Sequence, residues 1–400
     1  MIKISNFIIL SLVISVIFPS QLSMYDGSWT KLTGFGLITF ISFSVFYIYT
    51  NKKLILKIPT ILLIILIGLI SSSLASFLMI GIFKPIMVYG ALISLFITVR
   101  ILTNEIQNPD KMIVNIVLGT CLSGILIIFL GFFFDEPLRW LSYSGFFSNP
   151  NSMGMFSAGL AHMIIGILYA YSKELTASIK FFFLLILFTS IILCLASTSR
   201  AGLLSIALTV LIIICLELSK TFNFSRLSIN IRKLKYILLF FIFLYIIYSL
   251  LNSFGLLDYI IVKFNRPDWQ GGASSGRFEG WLYALENWRW FGHVNFKEFA
   301  EIEDNVRFLG HSTWIMHLNN YGLLASFFFI GWISFMLYWA WQHSDIDKNS
   351  KSGIVLLTTL SGYIVNASFE EATSTPGLIM SIILFAIFFK RQNKKLTLIN

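Results

Sequence analysis

The sequence predicts an all-α polytopic membrane protein, a single integral membrane domain over residues 1–400 with about twelve transmembrane helices. Three observations carry that prediction. Hydrophobic residues make up 57% of the chain and charged residues only 12%, about half the roughly 25% typical of soluble domains. Apolar runs close to the ~20 residues that cross a bilayer recur from end to end. These runs are continuous, whereas barrel strands alternate apolar and polar positions.

The spans follow in order. The first, 3–20, has Lys3, an apolar core and Pro19-Ser20. It resembles a signal peptide, but without a small-residue cleavage site it is expected to stay as a helix. Spans two and three, 32–50 and 55–73, are separated by Lys52 and Lys53, and Lys57 stands near the start of the third. The fourth, 82–100, carries Lys84 and Pro85 near its start. Then come 111–134, 153–171, 178–197 and 201–218, and the ninth, 235–252. The tenth, eleventh and twelfth are 318–341, 353–369 and 376–390, ahead of the basic tail "KRQNKK".

Basic residues set the orientation. With both termini cytoplasmic, 19 of the 29 Lys and Arg fall inside, and six of the other ten lie in the loop 253–311, whose length gives it little weight. Acidic residues divide the other way, 13 outside and 6 inside. The net charge of +10 therefore reflects topology; with no contiguous basic face it does not indicate nucleic-acid binding. Cys121, Cys194 and Cys215 all lie in spans without CxxC spacing and read as apolar filler.

Polar residues collect on the outward side. In the large extracytoplasmic loop 253–311, between spans nine and ten, the run "SSGRFEGWLYALENWRWFG" predicts an amphipathic helix near 275–291. Phe278, Trp281, Leu282, Leu285 and Trp288 share one side; Glu279, Glu286, Asn287 and Arg289 lie opposite. The helix can rest at the membrane interface or act as a lid, with Arg277 at its N-terminal end, where backbone N–H groups favour anions. The turn "ASTSRAG" places Arg200 at an outer span end, where topology does not require an arginine. "SYSGFFSNPNSMG" sets Asn151 in an Asn-Pro turn before the sixth span.

The stretch "HSTWIMHLNNYG", 311–322, is polar just before the tenth span. On a helix His317 would lie about 240° round from His311, so a shared zinc is rejected; no metal and no cofactor are expected. His311, at the loop end, has the better access to water, and an ordinary pKa near ~6.5 suits a general base. Arginines suit phosphate and a histidine suits deprotonating a hydroxyl. Without a nucleotide-binding motif, a phosphorylated donor met outside would be lipid-linked, and the chemistry is glycan transfer from a polyprenyl diphosphate.

Four stretches, in order, resemble the O-antigen ligase/polymerase family of integral membrane glycosyltransferases: "FSNPNSMG", "STSRAGLLSIALTVLIII", "SGRFEGWLYALENWRWFG" and "HSTWIMHLNNYGLL". The last is the most specific: His311, Ser312, nine residues, then Gly322. Similarity covers roughly 145–335, and Ala325 stands where the family often has glycine. The resemblance implies a GT-C-like helical fold and metal-independent transfer from undecaprenyl diphosphate. It makes His311 the catalytic base and Arg200 and Arg277 the donor-diphosphate ligands, with Asn151, Ser312 and His317 near the substrates.

The implied partners are a lipid-linked glycan donor, a glycan acceptor and the bilayer, besides a chain-length regulator and a flippase. The implied location is the bacterial inner membrane. Polymerisation of O-antigen or capsule repeat units and ligation of finished polysaccharide to lipid A-core both fit. A lipid-linked oligosaccharide flippase or transporter is a third reading; against it, such proteins keep their polar residues at the bilayer midplane.

Overall fold

A computed structural model of the chain describes residues 4–22, 58–103, 108–131, 138–139, 142–145, 147, 149–221, 245, 249, 252, 277–293, 312–344, 351–370 and 376–396. The second span, nearly all of the ninth, most of the loop 253–311 and His311 lie outside the described residues.

The first span comprises α1 (Ile4–Leu12), a π-turn (Val13–Ile17) and α2 (Phe18–Leu22). Next come α3 (Thr60–Ile80), α4 (Lys84–Leu102) and α5 (Pro109–Gly131). A two-residue antiparallel ladder, β1 (Leu138–Arg139) with β2 (Ser142–Tyr143), precedes α6 (Pro150–Tyr171). Then follow α7 (Ala177–Ala196), α8 (Arg200–Thr221) and the short α9 (Arg277–Glu286). The last three are α10 (Thr313–Gln342), α11 (Lys351–Phe369) and α12 (Pro376–Leu396). Among the described residues eight helices, α3 to α8, α10 and α11, are long and apolar enough to cross a bilayer; the first span and α12 hold shorter apolar stretches. This is the architecture of a polytopic helical membrane protein.

Several boundaries depart from the sequence expectation, the starts of the third and tenth spans among them. The third span does not open at residue 55: Pro59, at ψ 142°, stands before the first helical residue and its carbonyl takes the Leu63 N–H. The tenth begins at Thr313, five residues before 318. Its polar first turns are helical because their side chains are buried and find partners inside the protein.

The helices run up and down. At one end, the lower, Tyr171 closes α6 and donates to Asp110 in α5 at 2.8 Å, while Lys351 at the head of α11 pairs with Glu174. At the upper end α6, α8 and α10 begin and α3 and α11 finish. There Thr313 Oγ1 donates to Glu370 O (3.0 Å) and Ser76 Oγ to Tyr321 O (3.2 Å). The centre is α11, packed on α6, α8, α10 and α12. Its apolar window is 78% buried, against 22% for α7. In a bilayer lipid is as apolar as a leucine, so close packing and hydrogen bonds decide which face turns inward. Ile61, Ile64 and Leu78 of α3 and Phe181, Leu184 and Phe188 of α7 turn outward.

Candidate functional site

Two capped helix starts lie side by side at the upper end. Asn149 caps α6, its side chain accepting from the Asn151 N–H at 2.9 Å, and Pro150 fills the first helical position, where no N–H is needed. Ser199 caps α8, taking the Gly202 N–H on its hydroxyl (3.3 Å) and the Leu203 N–H on its carbonyl (3.0 Å). Arg200 is then the first residue of α8, half-buried. The reversal from α7 to α8 is tight: Ser197, Thr198 and Ser199 are all buried, and Thr198 is held at φ 51°. A β-branched residue in that region costs about 1–3 kcal/mol, strain that tends to gather at functional sites.

Glycine brings the two starts together. A Cβ on Gly154 would fall 2.0 Å from the Ser199 Cβ, and one on Gly202 would fall 2.9 Å from the Gly154 carbonyl oxygen. Each helix N-terminus carries roughly half a positive charge. Two in contact, with Arg200 as the first residue of one of them, favour an anion rich in acceptor oxygens.

The second pair of motifs meets through a break in α10. At Gly322 the backbone is non-helical (φ 90°, ψ 165°), which interrupts the ladder. The segment after α9 repairs it. His293 N donates to Asn319 O at 2.7 Å, Leu323 N to Arg289 O at 2.9 Å, and Leu324 N to Trp290 O at 3.4 Å. Within a membrane protein such freed groups must find partners in the protein. Gly292 crosses Gly322 so closely that a Cβ on Gly322 would lie 2.3 Å from Trp290 O. The segment 289–293 is thus a strap pinned across the helix break. His293 Nε2 donates to Asn287 O (2.6 Å). Burial pushes the His293 ring below its ordinary pKa and nearby Arg289 adds to this, while the Asn287 bond opposes it.

The helix α9 seats itself differently from the pattern. Gly280 and Ala284 are buried and Trp281 packs on Phe369 of α11, while Leu282, Leu285, Trp288 and Trp290 are exposed. Small residues allow close approach to the bundle, leaving the bulky apolar side free for lipid.

Of the sequence-predicted site residues, Asn151 and Arg200 come together at the paired helix starts. Arg277 is the first residue of α9, with its side chain outside the described residues, as is all of His311. Ser312 caps α10 by its backbone, taking the Met316 N–H at 2.9 Å, and is buried. His317 is buried in an aromatic box. Its Nδ1 meets the Tyr89 hydroxyl at 2.6 Å, and its ring stacks on Phe329 with centroids 4.4 Å apart. It holds α10 to α4.

Two residues at this end escaped sequence reasoning, His293 and Glu370. The latter stands in "NASFEE", a polar run at the end of a span, which was a usable signal. Buried Glu370 accepts Thr313 on its carbonyl, just after Ser312. Among the described residues no group of His, Cys, Asp and Glu could hold a metal ion. No protein-family profile matches the chain, and no curated protein matches it at a significant level.

Proposed function

We propose that the chain is a metal-independent membrane glycosyltransferase. It transfers a glycan from undecaprenyl diphosphate to a sugar hydroxyl on the outer face of a bacterial inner membrane, polymerising O-antigen or capsule repeat units. One observation carries this reading. Segments from each of the four motif stretches meet at a single end of the bundle, in two packed pairs: 149–154 with 197–202, and 289–293 with 319–324. Among the described residues the lower end carries pairs such as Lys351–Glu174 and Tyr171–Asp110, outside the four stretches.

In this mechanism His311 takes the proton from the acceptor hydroxyl as its oxygen attacks the anomeric carbon. The bond from that carbon to the diphosphate oxygen breaks, and undecaprenyl diphosphate leaves with the electron pair. Arg200, backed by the two helix starts, and Arg277 take up the charge that builds on the diphosphate. A single displacement inverts the anomeric centre. The proposed arrangement is a GT-C-like bundle of twelve spans, both termini cytoplasmic, with 253–311 as the outer loop. It works between a flippase that delivers the donor and a regulator of chain length.

The test is the surface glycan profile of a deletion strain complemented with wild type, His311→Ala, Arg200→Ala or Arg277→Ala at matched membrane levels. Loss of the ladder to a single repeat unit identifies a polymerase. Unattached polymer accumulating on its lipid carrier identifies the ligase instead. A normal ladder from all three variants defeats the catalytic reading, as expected of a flippase, which moves no proton at His311.

A further inference from the structure

The break in α10 stands at a particular depth. Thr313–Gln342 is 30 residues long, about 45 Å at 1.5 Å per residue, against a hydrocarbon core of roughly 30 Å. About ten of its residues must therefore lie outside the acyl chains. Tyr338 and Trp341, both exposed near the lower end, suit the aromatic belt that marks a membrane boundary. From Trp341 up to Gly322 is about 29 Å, so the upper boundary falls at the break.

Helix α3 gives the same level independently. Its 21 residues span about 31 Å, one core thickness. It runs antiparallel beside α10: Ser76 Oγ donates to Tyr321 O at 3.2 Å, and a Cβ on Gly68 would collide with the Phe328 ring. The last turn of α3 is thus level with the break, and there Phe77, Leu78 and Met79 are all exposed.

The strap is pinned at that level. Trp288 and Trp290 meet edge to face with centroids 5.6 Å apart, and both are exposed. Leu282 and Leu285 of α9 are exposed too; Leu282, at 60%, is nearly as bare as Leu78 at 71%. Exposed Arg289 stands between the tryptophans and can reach lipid phosphate while they rest at the boundary. Four bulky apolar side chains, at the depth where α3 ends in a lipid-facing turn, match a leaflet surface.

We propose that α9 and the strap are seated in the surface of the upper leaflet, and that this seat holds the strap against the break in α10. Residues 313–321 then stand above the acyl chains as a helical stalk, and the strap is where lipid fixes its base. Leu282, Leu285 and the two tryptophans are largely outside the protein's own packing, so charging them acts on the strap through the leaflet. The inference is independent of the transferase reading and needs no turnover.

The test uses the full chain in nanodiscs. In a Cys215→Ala background, where the remaining cysteines are buried, Leu285→Cys carries a fluorophore. Lipids brominated high in their acyl chains should quench it strongly, and far less the same label on Lys173→Cys in the lower loop. The double variant Leu282→Glu with Leu285→Glu should speed amide exchange at His293 and Leu323 on the order of tenfold. Leu282→Met with Leu285→Met should leave it as in wild type, and amides in the middle of α11 should not change in either variant. A label at 285 that brominated lipids leave unquenched overturns the seat in lipid and shows that protein covers this face, a further part of the chain or a second copy. A quenched label with unchanged exchange in the Glu variant overturns the coupling of leaflet and strap.

Discussion

Gly322→Ala tests the strap across the broken helix. The new methyl carbon would sit 2.3 Å from Trp290 O and 2.6 Å from Gly292 N, so the strap must lift. The residue would also have to hold φ 90° with ψ 165°, a region essentially reserved for glycine, at about 1–3 kcal/mol. Lifting the strap breaks the two shorter bonds, His293 N to Asn319 O and Leu323 N to Arg289 O, each worth about 0.5–1.5 kcal/mol net. Docking should weaken by about 3 kcal/mol, on the order of 10²-fold in the closed-to-open ratio at roughly 1.4 kcal/mol per tenfold. Amide hydrogen exchange in nanodiscs reads this directly. The amides of His293 and Leu323 should exchange on the order of 10²-fold faster, while those in the middle of α11 stay as they were. An acceleration below about threefold would refute the claim that the strap completes the helix.

Gly154→Ala should lower the unfolding temperature in detergent by driving a methyl into Ser199, an overpacking cost of about 1–3 kcal/mol; an unchanged midpoint would mean α6 and α8 are not held at this distance. His317→Phe, which leaves the Tyr89 hydroxyl without its 2.6 Å partner, should cost about 1–3 kcal/mol of stability but leave transfer per folded molecule intact. A selective loss of activity would give His317 a chemical role. The strap should also respond to pH. The folded pKa of His293 is depressed, mainly by burial, so docking is at full strength above the ordinary histidine value near ~6.5 and weakens as pH falls through the lowered one. Limited proteolysis after Arg289 should speed up from pH 7.5 to 5 relative to a reference site at the lower end of the bundle, and His293→Gln should flatten that dependence.

Much of the bundle was legible because a bilayer simplifies the problem: a helix is the one open-ended structure that satisfies its own backbone. Every predicted span within the described residues coincides with a helix, including 82–100, where Pro85 proves to be in the first turn of α4. The polar constellation was legible in part. Asn151 and Arg200 announce themselves as an amide and a charge at span ends, and capping chemistry brings both to helix starts. The break at Gly322 was not, because a sequence such as "NNYGLL" continues a helical pattern and the strap that replaces the lost bonds comes from thirty residues earlier. For α9 the periodicity identified the helix but not its inward side. A soluble helix buries its apolar stripe, whereas here Gly280 and Ala284 face the bundle and Leu282 and Leu285 face outward. The helical spacing of His311 and His317 excludes a shared metal site but does not say where the His317 ring lodges. Only the aromatic side chains brought in by α4 and the later turns of α10 show that it is part of the frame.

The π-turn at Val13–Ile17, closed by the Phe18 N–H on Val13 O, inserts one residue and so rotates everything after it by about 100°. That rotation delivers the Gln21 amide to Thr120 and Ser123 of α5. The first helix is therefore keyed into the bundle like a cut key, and a generic membrane anchor of equal length and greasiness would not fit the lock. Swapping it for a standard secretion leader to raise expression should yield a chain that inserts but packs poorly. Deleting a single residue from 13–17 should do the same harm while leaving the hydropathy profile almost untouched.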